Sequence, residues 1–481
     1  MTTDGNGQDK APGFFARNAL YFKIAMLGFL CLALLIPLQF VRSTVLERQA
    51  RSHEVIAEIA GSWGGAQFLS GPVLTIPFEE RTTLRTTSAS GAVTEREQIV
   101  QREIVLLPET LEIAGQLSDQ IRRKGIYEAL LYSGDLSFSG SFAAPDLEQL
   151  GVAPSSVDWD RAQLILLVSD PRGIGKAPPL DWGGREAAFQ PYNGAPDGSG
   201  IAAALDAASL QRGEIAFRMN LTLNGSRLLA FRPVGRNTEV ALRSSWPHPG
   251  FGGGTLPAES SISEAGFSAS WQVSHFAREM PQFWRSDMAD SARLLMPNHD
   301  TYWLDSRGFL ATELVSPVDF YLKAERSVKH GLLFIALIFG ALFTFEAING
   351  GRLHFLQYSL IGAALVVFYL LLLSLAEILG FAAAYAIAAS LSLGLVASYT
   401  GKITGSRKQG ATVAGLLAAI YGYLYVTLLS EDSGLLLGSL VLFIAIAAIM
   451  YATRNIDWYA LQGTVAEKGN PQGAANAPAP P

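Results

Sequence analysis

"LLSEDSGLLLG", residues 428–438, sets two acids, Glu431 and Asp432, between two runs that are almost wholly apolar. The acids are either a turn at a membrane surface or an ionisable site inside the membrane, and the flanks decide between the two. Residues 411–429 and 434–452 are both apolar. Each approaches the ~20 residues a helix needs to cross a bilayer, and in lipid only a helix satisfies its own backbone. The tetrapeptide 430–433 is then a turn. Asp432 or Ser433 can cap the second helix, whose positive end favours nearby acids.

Further runs of the same kind lie at roughly 20–40, 331–348, 354–376 and 378–399, making six expected membrane helices. The first has a basic flank (Arg17, Lys23) but ends in "IPLQFVRSTVLERQ" without a small-residue cleavage pattern, so it reads as an uncleaved signal anchor. Lys10, Arg17 and Lys23, Arg352, the loop with Lys402, Arg407 and Lys408, and Arg454 all fall on one side if both termini are cytoplasmic. The opposite turns, around Glu377 and at 430–433, carry no Lys or Arg.

The intervening 42–328 has the composition of a soluble protein and is expected outside the cytoplasm, in a bacterium the periplasm. Residues 42–66 continue the first helix, with Val45, Ala50, Val55, Ile56 and Ile59 at helical spacing. Strand patterns follow in "GPVLTIPFEE", in "QREIVLLPETLEIAGQL" with a pause at Pro108, and in "LSFSGSF", "AQLILLVSD", "NTEVALRSSW" and "FSASWQVSHF". Asn224-Gly225 predicts a two-residue hairpin turn. "YNGAPDGSG" and "PHPGFGGGTLP" read as loops, and 464–481 as a disordered tail.

Composition closes off several classes of function. Hydrophobic residues make up 49% and charged residues 16%, below the quarter usual in globular chains. A net charge of -6 with no basic stripe argues against nucleic acid. The single cysteine, Cys31, excludes a disulfide framework within the chain. The six histidines form no metal-binding spacing, "NHD" at 298–300 reads as a polar turn, and no nucleophile elbow occurs. No catalytic set, metal or cofactor is expected. Glu346 and Glu377 are acids at the ends of membrane helices. Glu346 is expected to meet water or to pair with Arg352. Tyr421, Tyr423 and Tyr425 read as interfacial aromatics. Gly434 and Gly438, and Ala418 and Gly422, have the spacing of close helix packing, within the bundle or between subunits.

Several motifs recur in a fixed order: "ERSVKHGLLFI", "FE", "QYSLIGAALVVFYLLLLSLAE", "AYAIAA", "YGYLYVTLLSEDSGLLLGS", "LF" and "TRNIDWY". With "ERQARSHEVIAEIAGSWGGAQFLSGPVLTIP", "NTEVALRSSWPHPGFGGGTLP" and "GFSASW", this text strongly resembles the CreD family of bacterial inner-membrane proteins. The resemblance covers most of 35–460. One departure is that Ser433-Gly434 stand where the family has an aromatic and an alanine. The resemblance implies an inner-membrane protein linked to cell-envelope integrity and to envelope-stress and β-lactam responses, with no established enzymatic activity. Its matching positions here are Arg326, Lys329, Glu346, Tyr358, Glu377, Glu431, Asp432, Arg454, Asp457 and Trp458.

The expected fold class is an α+β membrane protein: six transmembrane helices, one N-terminal and five C-terminal, with a large antiparallel β-rich periplasmic domain between helices 1 and 2. The expected segments are a cytoplasmic 1–19, the anchor 20–41, the domain 42–328, the bundle 329–453 and a cytoplasmic tail 454–481. The expected partners are the lipid bilayer and envelope components; an oligomer is left open. Three functions compete: a non-enzymatic envelope-integrity protein, a transporter or lipid-handling bundle, and a periplasmic enzyme.

Overall fold

A computed structural model describes residues 19–87, 93–176, 178–194, 198–278, 280–288, 294–296, 308–316, 320–349, 353–429 and 434–454. Arg352, Glu431, Asp432, Asp457, Trp458, the "NHD" turn and the tail from 464 lie outside them. The chain divides into two compact units, residues 1–51 with 319–481, and residues 52–318. The expected boundaries at 42 and 328 therefore move. Residues 42–51 and 320–329 are helical and bury side chains such as Val45, Tyr321, Ala324 and Val328 within the helical unit.

The helical unit opens with α1 (Ala19–Ala33) and α2 (Leu35–Gly61). The two run on almost as one helix, because the amides of Leu34 and Leu38 still bond four residues back. Pro37 supplies no amide for the Ala33 carbonyl, which accounts for the interruption. Then come α3 (Phe320–Lys329), α4 (Gly331–Asn349), α5 (Phe355–Leu379), α6 (Phe381–Ile403), α7 (Arg407–Leu429) and α8 (Gly434–Thr453). His354 caps α5: its Nδ1 accepts the Leu356 amide, and Gln357 returns to accept the His354 amide, a reciprocal cap.

Among the described residues, four helices are long and apolar enough to cross a membrane: Tyr21–Gly61, Phe355–Leu379, Phe381–Ile403 and Arg407–Leu429. α3 and α4, bent by 48° at their junction, make a fifth if counted as one span, and Gly438–Tyr451 is a shorter apolar helix. The expected helix at 331–348 is thus the longer arm of a bent pair, and its shorter arm was assigned from sequence to the neighbouring domain.

The second unit is built of strands in two sheets. Sheet one runs β13 (Pro249–Gly253), β17 (Leu310–Leu314), β11 (Leu228–Arg232), β1 (Gln67–Thr87), β5 (Ala162–Val168), β9 (Gly198–Leu205) and β8 (Gln190–Gly194), with β2 (Val93–Leu106) on β1 and β16 (Phe283–Arg285) on β2. Sheet two runs β14 (Glu259–Ser263), β15 (Gly266–Ser274), β12 (Asn237–Ser244), β3 (Thr110–Lys124), β4 (Tyr127–Phe142), β10 (Ile215–Ser226), β6 (Pro179–Trp182) and β7 (Arg185–Ala188). Both sheets feed one core. Leu74, Ile76, Leu164 and Leu166 from β1 (Gln67–Thr87) and β5 (Ala162–Val168) join Ile113, Phe138, Leu221 and Trp271 from the second sheet. Alternation is clean where one face meets solvent, as in β10 (Ile215–Ser226) and β12 (Asn237–Ser244). β5, between β1 and β9, is buried almost throughout.

Three sequence expectations fail here. The unit is not purely antiparallel: β1 pairs in parallel with β11 (Leu228–Arg232), and β12 with β3 (Thr110–Lys124). Asn224-Gly225 is no hairpin turn, because β10 runs straight through it, paired with β4 (Tyr127–Phe142). The chain turns at Arg227 (φ 56°) and enters the other sheet as β11. Gly225 is needed for close approach instead, since a Cβ there would strike the Tyr132 hydroxyl, which donates to Leu228 O at 2.9 Å. The Asn224 carbonyl accepts from Gln67 Nε2, which also serves Gly64 O and Asp170 O. This tertiary demand outweighs local turn chemistry.

The third failure is in the glycine-rich text. Pro249–Gly253 forms β13, paired with β17 (Leu310–Leu314), and Phe251 packs against Phe267 and Trp271. Gly253 (φ 90°) would drive a Cβ into the Phe309 carbonyl. Likewise 190–194 and 198–205 are the paired strands β8 and β9.

Across β1, β2 (Val93–Leu106) and β16 (Phe283–Arg285), Arg285 bonds Glu80 (2.8 Å) and Asp287 (3.0 Å). Arg102 contacts the same two acids at 2.5 and 2.7 Å. The hydrogen bonds from Arg285 hold the Glu80 and Asp287 carboxyls below their ordinary range. A depressed folded pKa contributes stability above the unfolded value, near 4, and loses it as pH falls through the folded value. Asp287→Asn is therefore expected to flatten the acid-side loss of stability below about pH 4, read by near-UV circular dichroism of the purified protein. An unchanged slope would remove this cluster from the acid response.

Candidate functional site

Charges inside an apolar bundle are costly unless paired. Lys23 on α1 and Arg42 and Arg48 on α2 each meet an acid from the C-terminal helices. Lys23 on α1 pairs with Glu346 on α4, whose side chain is 9% exposed. Tyr358 on α5 donates to the other carboxylate oxygen at 2.9 Å, and Lys23 also reaches Leu353 O at 3.3 Å. The Lys23 ammonium lies 5.7 Å from the centre of the Tyr358 ring. This places Glu346 in a closed set of partners drawn from three helices.

A second set lies further along α2. Arg42 contacts Glu325 on α3 at 3.3 Å, and Lys329 contacts the same oxygen at 3.1 Å. Arg48 lies 4.0 Å from Glu377 on α5, and the Tyr321 hydroxyl donates to Glu377 at 3.2 Å. Lys23 and Arg42 are 19 residues apart, as are Tyr358 and Glu377. In a helix that spacing is about 28 Å, close to the ~30 Å of a bilayer's hydrocarbon core. The two charge sets thus bracket one apolar thickness, where side chains can reach water or headgroups and desolvation is least.

Between them the bundle interior carries buried hydroxyls. Tyr385 on α6 donates to Tyr421 O at 2.6 Å, and Ser392 and Tyr421 share a hydrogen bond of 2.7 Å. Phe368 packs against Tyr421 with ring centres 4.8 Å apart and the rings tilted, and Tyr369 is fully buried beside it. Tyr421 is therefore a core residue and not the interfacial aromatic its sequence position suggested. Its ring fits among Phe334, Phe368 and Ser392, with its polar atoms satisfied.

The chain matches the family described as Inner membrane protein CreD over residues 19–459. It is 34% identical over 451 residues to "Inner membrane protein CreD" of Escherichia coli (strain K12), covering 92% of this chain and 95% of that protein. This chain belongs to the CreD family. Family membership and the apolar helices agree on an inner-membrane protein that crosses the bilayer several times.

Within this member of the family the sequence-selected residues separate. Glu346 and Glu377 sit in the two charge sets, and Lys329 joins Glu325 in the second. Arg326 is half-buried on α3, and Arg454 stacks over the Tyr451 ring at 4.0 Å. Glu431, Asp432 and Asp457 lie outside the described residues. The expected partner of Glu346, Arg352, also lies outside them, and Lys23 fills that role. Glu325, Arg42, Arg48 and Tyr321 were missed. The signal was available: cations separated by one membrane thickness on a helix that continues beyond its span.

Within the bundle, Gly422 and Gly438 are not points of close helix approach. A Cβ at Gly422 or Gly438 would meet nothing within 4 Å. Close approach occurs at Gly362, against Leu34 and Phe339, and where Gly401 meets Gly410.

In the β unit a cleft of about 380 Å³ is lined by Phe78, Glu79, Gln101, Asp158, Trp159 and Asp160. Gln101 donates to Glu79 at 3.1 Å, and Asp158 faces Arg161 at 3.8 Å. Glu79 and Asp160 are open to solvent. Among the described residues no group of three or more His, Cys, Asp or Glu is placed to hold a metal.

Glu346→Gln leaves Lys23 without its carboxylate and is expected to cost about 3 kcal/mol. Exchange of the pair, Lys23→Glu with Glu346→Lys, is expected to recover part of that loss. Thermal unfolding of the detergent-solubilised protein measures both. A single variant as stable as the parent would show the pair to be incidental.

Proposed function

We propose that this chain is a non-enzymatic inner-membrane protein that supports cell-envelope integrity and takes part in envelope-stress and β-lactam responses. In this reading six helices cross the membrane, with both termini cytoplasmic and α1 acting as a signal anchor. The β unit lies in the periplasm and contacts envelope components. The observation that carries the reading is the engagement of the bundle's acids. Glu346, Glu325 and Glu377 are each held by a cation from the first helix, at the ends of a span-length apolar stretch. Such an arrangement suits a fixed anchor. A transporter needs charges that change partners near the membrane midplane, usually on broken helices. The bent α3–α4 pair favours that second reading.

Deleting the gene under conditions that induce it is expected to raise sensitivity to detergent, bile salts and β-lactams, with resistance restored by the intact gene. The double variant Glu346→Gln and Glu377→Gln is expected to restore resistance in proportion to its membrane abundance. Loss of resistance at normal abundance would favour transport. Unchanged sensitivity on deletion would remove the envelope role.

The orientation has its own test. In a Cys31→Ser background, Glu431→Cys is expected to react with a membrane-impermeant thiol reagent in spheroplasts, whereas Ser406→Cys reacts only after lysis. The reverse pattern would invert the topology.

A further inference from the structure

α6 and α7 are consecutive apolar helices joined through Thr404, Gly405 and Ser406, so their turn sits at a membrane surface whichever side that is. The helices converge as they reach it. A Cβ at Gly410 would come within 3.0 Å of the Gly401 Cα and of the Ala397 carbonyl, so the two backbones touch at this crossing. That contact crowds the cations that follow it. Lys402 closes α6, and Arg407 and Lys408 open α7. All three are exposed.

Three features make this tip unusual in the chain. Residues 378–430 contain no Asp or Glu, so neither helix supplies a counter-charge. Elsewhere Lys23, Arg42, Arg48, Arg102, Arg285 and Lys329 each have a carboxylate within 4.0 Å. No ion pair is recorded for Lys402, Arg407 or Lys408 among the described residues. Finally, Arg407 and Lys408 stand at the amino end of a 23-residue helix with no acid in its first turn, where the helix dipole already places positive charge. Charge of one sign therefore accumulates on a hairpin tip at headgroup depth.

We propose that this tip is a binding site for the phosphodiester headgroup of an anionic phospholipid. Lys402 and Lys408 offer ammonium donors, and Arg407 offers the planar fork that matches two phosphate oxygens. The first free amides of α7 face the same way as the dipole and add donors for the anion. The acyl chains run down the apolar outer surface of α6, where Leu391 and Leu395 are exposed. The headgroup is a counter-ion for a turn that lacks one of its own, and it draws the hairpin to anionic regions of the membrane.

The full-length protein is extracted gently from membranes containing phosphatidylglycerol, cardiolipin and phosphatidylethanolamine, and its lipid adducts are counted by native mass spectrometry. The intact chain is expected to retain phosphatidylglycerol or cardiolipin in preference to phosphatidylethanolamine. The triple variant Lys402→Gln, Arg407→Gln and Lys408→Gln is expected to lose about tenfold or more of that retention, since each basic residue adds to the attraction for an anionic surface. An unchanged melting temperature establishes that the variant is folded, and single variants replace it if it is not. Millimolar inorganic phosphate is expected not to displace the lipid; displacement would assign the site to free phosphate. Equal anionic adducts on the intact chain and the folded variants would overturn the proposal.

Discussion

The pairing of the first helix's cations with acids of the C-terminal helices is the constraint on which the helical unit depends. A carboxylate in an apolar bundle must be neutralised, coordinated or brought to water, and an ion pair with added hydrogen bonds is the least costly of these for a fixed structure. Lys23, Arg42 and Arg48 meet Glu346, Glu325 and Glu377 at two levels separated by about one hydrocarbon thickness. These pairs set the axial position of α1 and α2 against helices that lie from 283 to 329 residues away in the chain. Sliding the first helix by one turn would move every cation off its acid, so the pairs specify register as well as contributing attraction.

The β unit is held by a different logic. Its two sheets bury one apolar core, and the polar groups that must cross it are satisfied by side chains reaching for backbone. Gln67 serves three carbonyls, and the Tyr132 hydroxyl serves a fourth. Burial pushes the Tyr132 phenol well above its ordinary range, so it stays a donor. The same need explains why Asn224-Gly225 continues a strand, because the site requires a free carbonyl and an absent Cβ more than it requires a turn. The parallel pairing of β11 with β1 follows from the same crossing, since β10 hands the chain to the other sheet, where β11 lies beside β1.

For function, the consequence is a helical unit in which Glu325, Glu346 and Glu377 are paired and a β unit with an acidic, solvent-open cleft. The inner-membrane identity rests on the family and on the apolar helices. The proposal of a fixed anchor rests on the pairing of Glu325, Glu346 and Glu377. The basic α6–α7 tip is the contrast: its charges find no acid among the described residues, and the anionic headgroup proposed above would supply one.

Much of this was legible in the sequence because membrane helices report themselves through length and hydropathy alone, and strands through alternation. That placed α4 to α8 and the strands around Pro108 within a few residues, and it named Glu346 and Glu377. What sequence could not supply was pairing. Ion partners such as Lys23 and Glu346, the burial of Tyr421, and the strand identity of Pro249–Gly253 depend on segments distant in the chain being brought together. A period of two or of 3.6 says which face of an element is apolar, not which face of another element it meets. The sequence by itself determined the apolar spans, the β-rich middle and the family. Only the tertiary structure decided which charges neutralise one another, because that depends on register between helices, and register is set by distances that no local pattern contains.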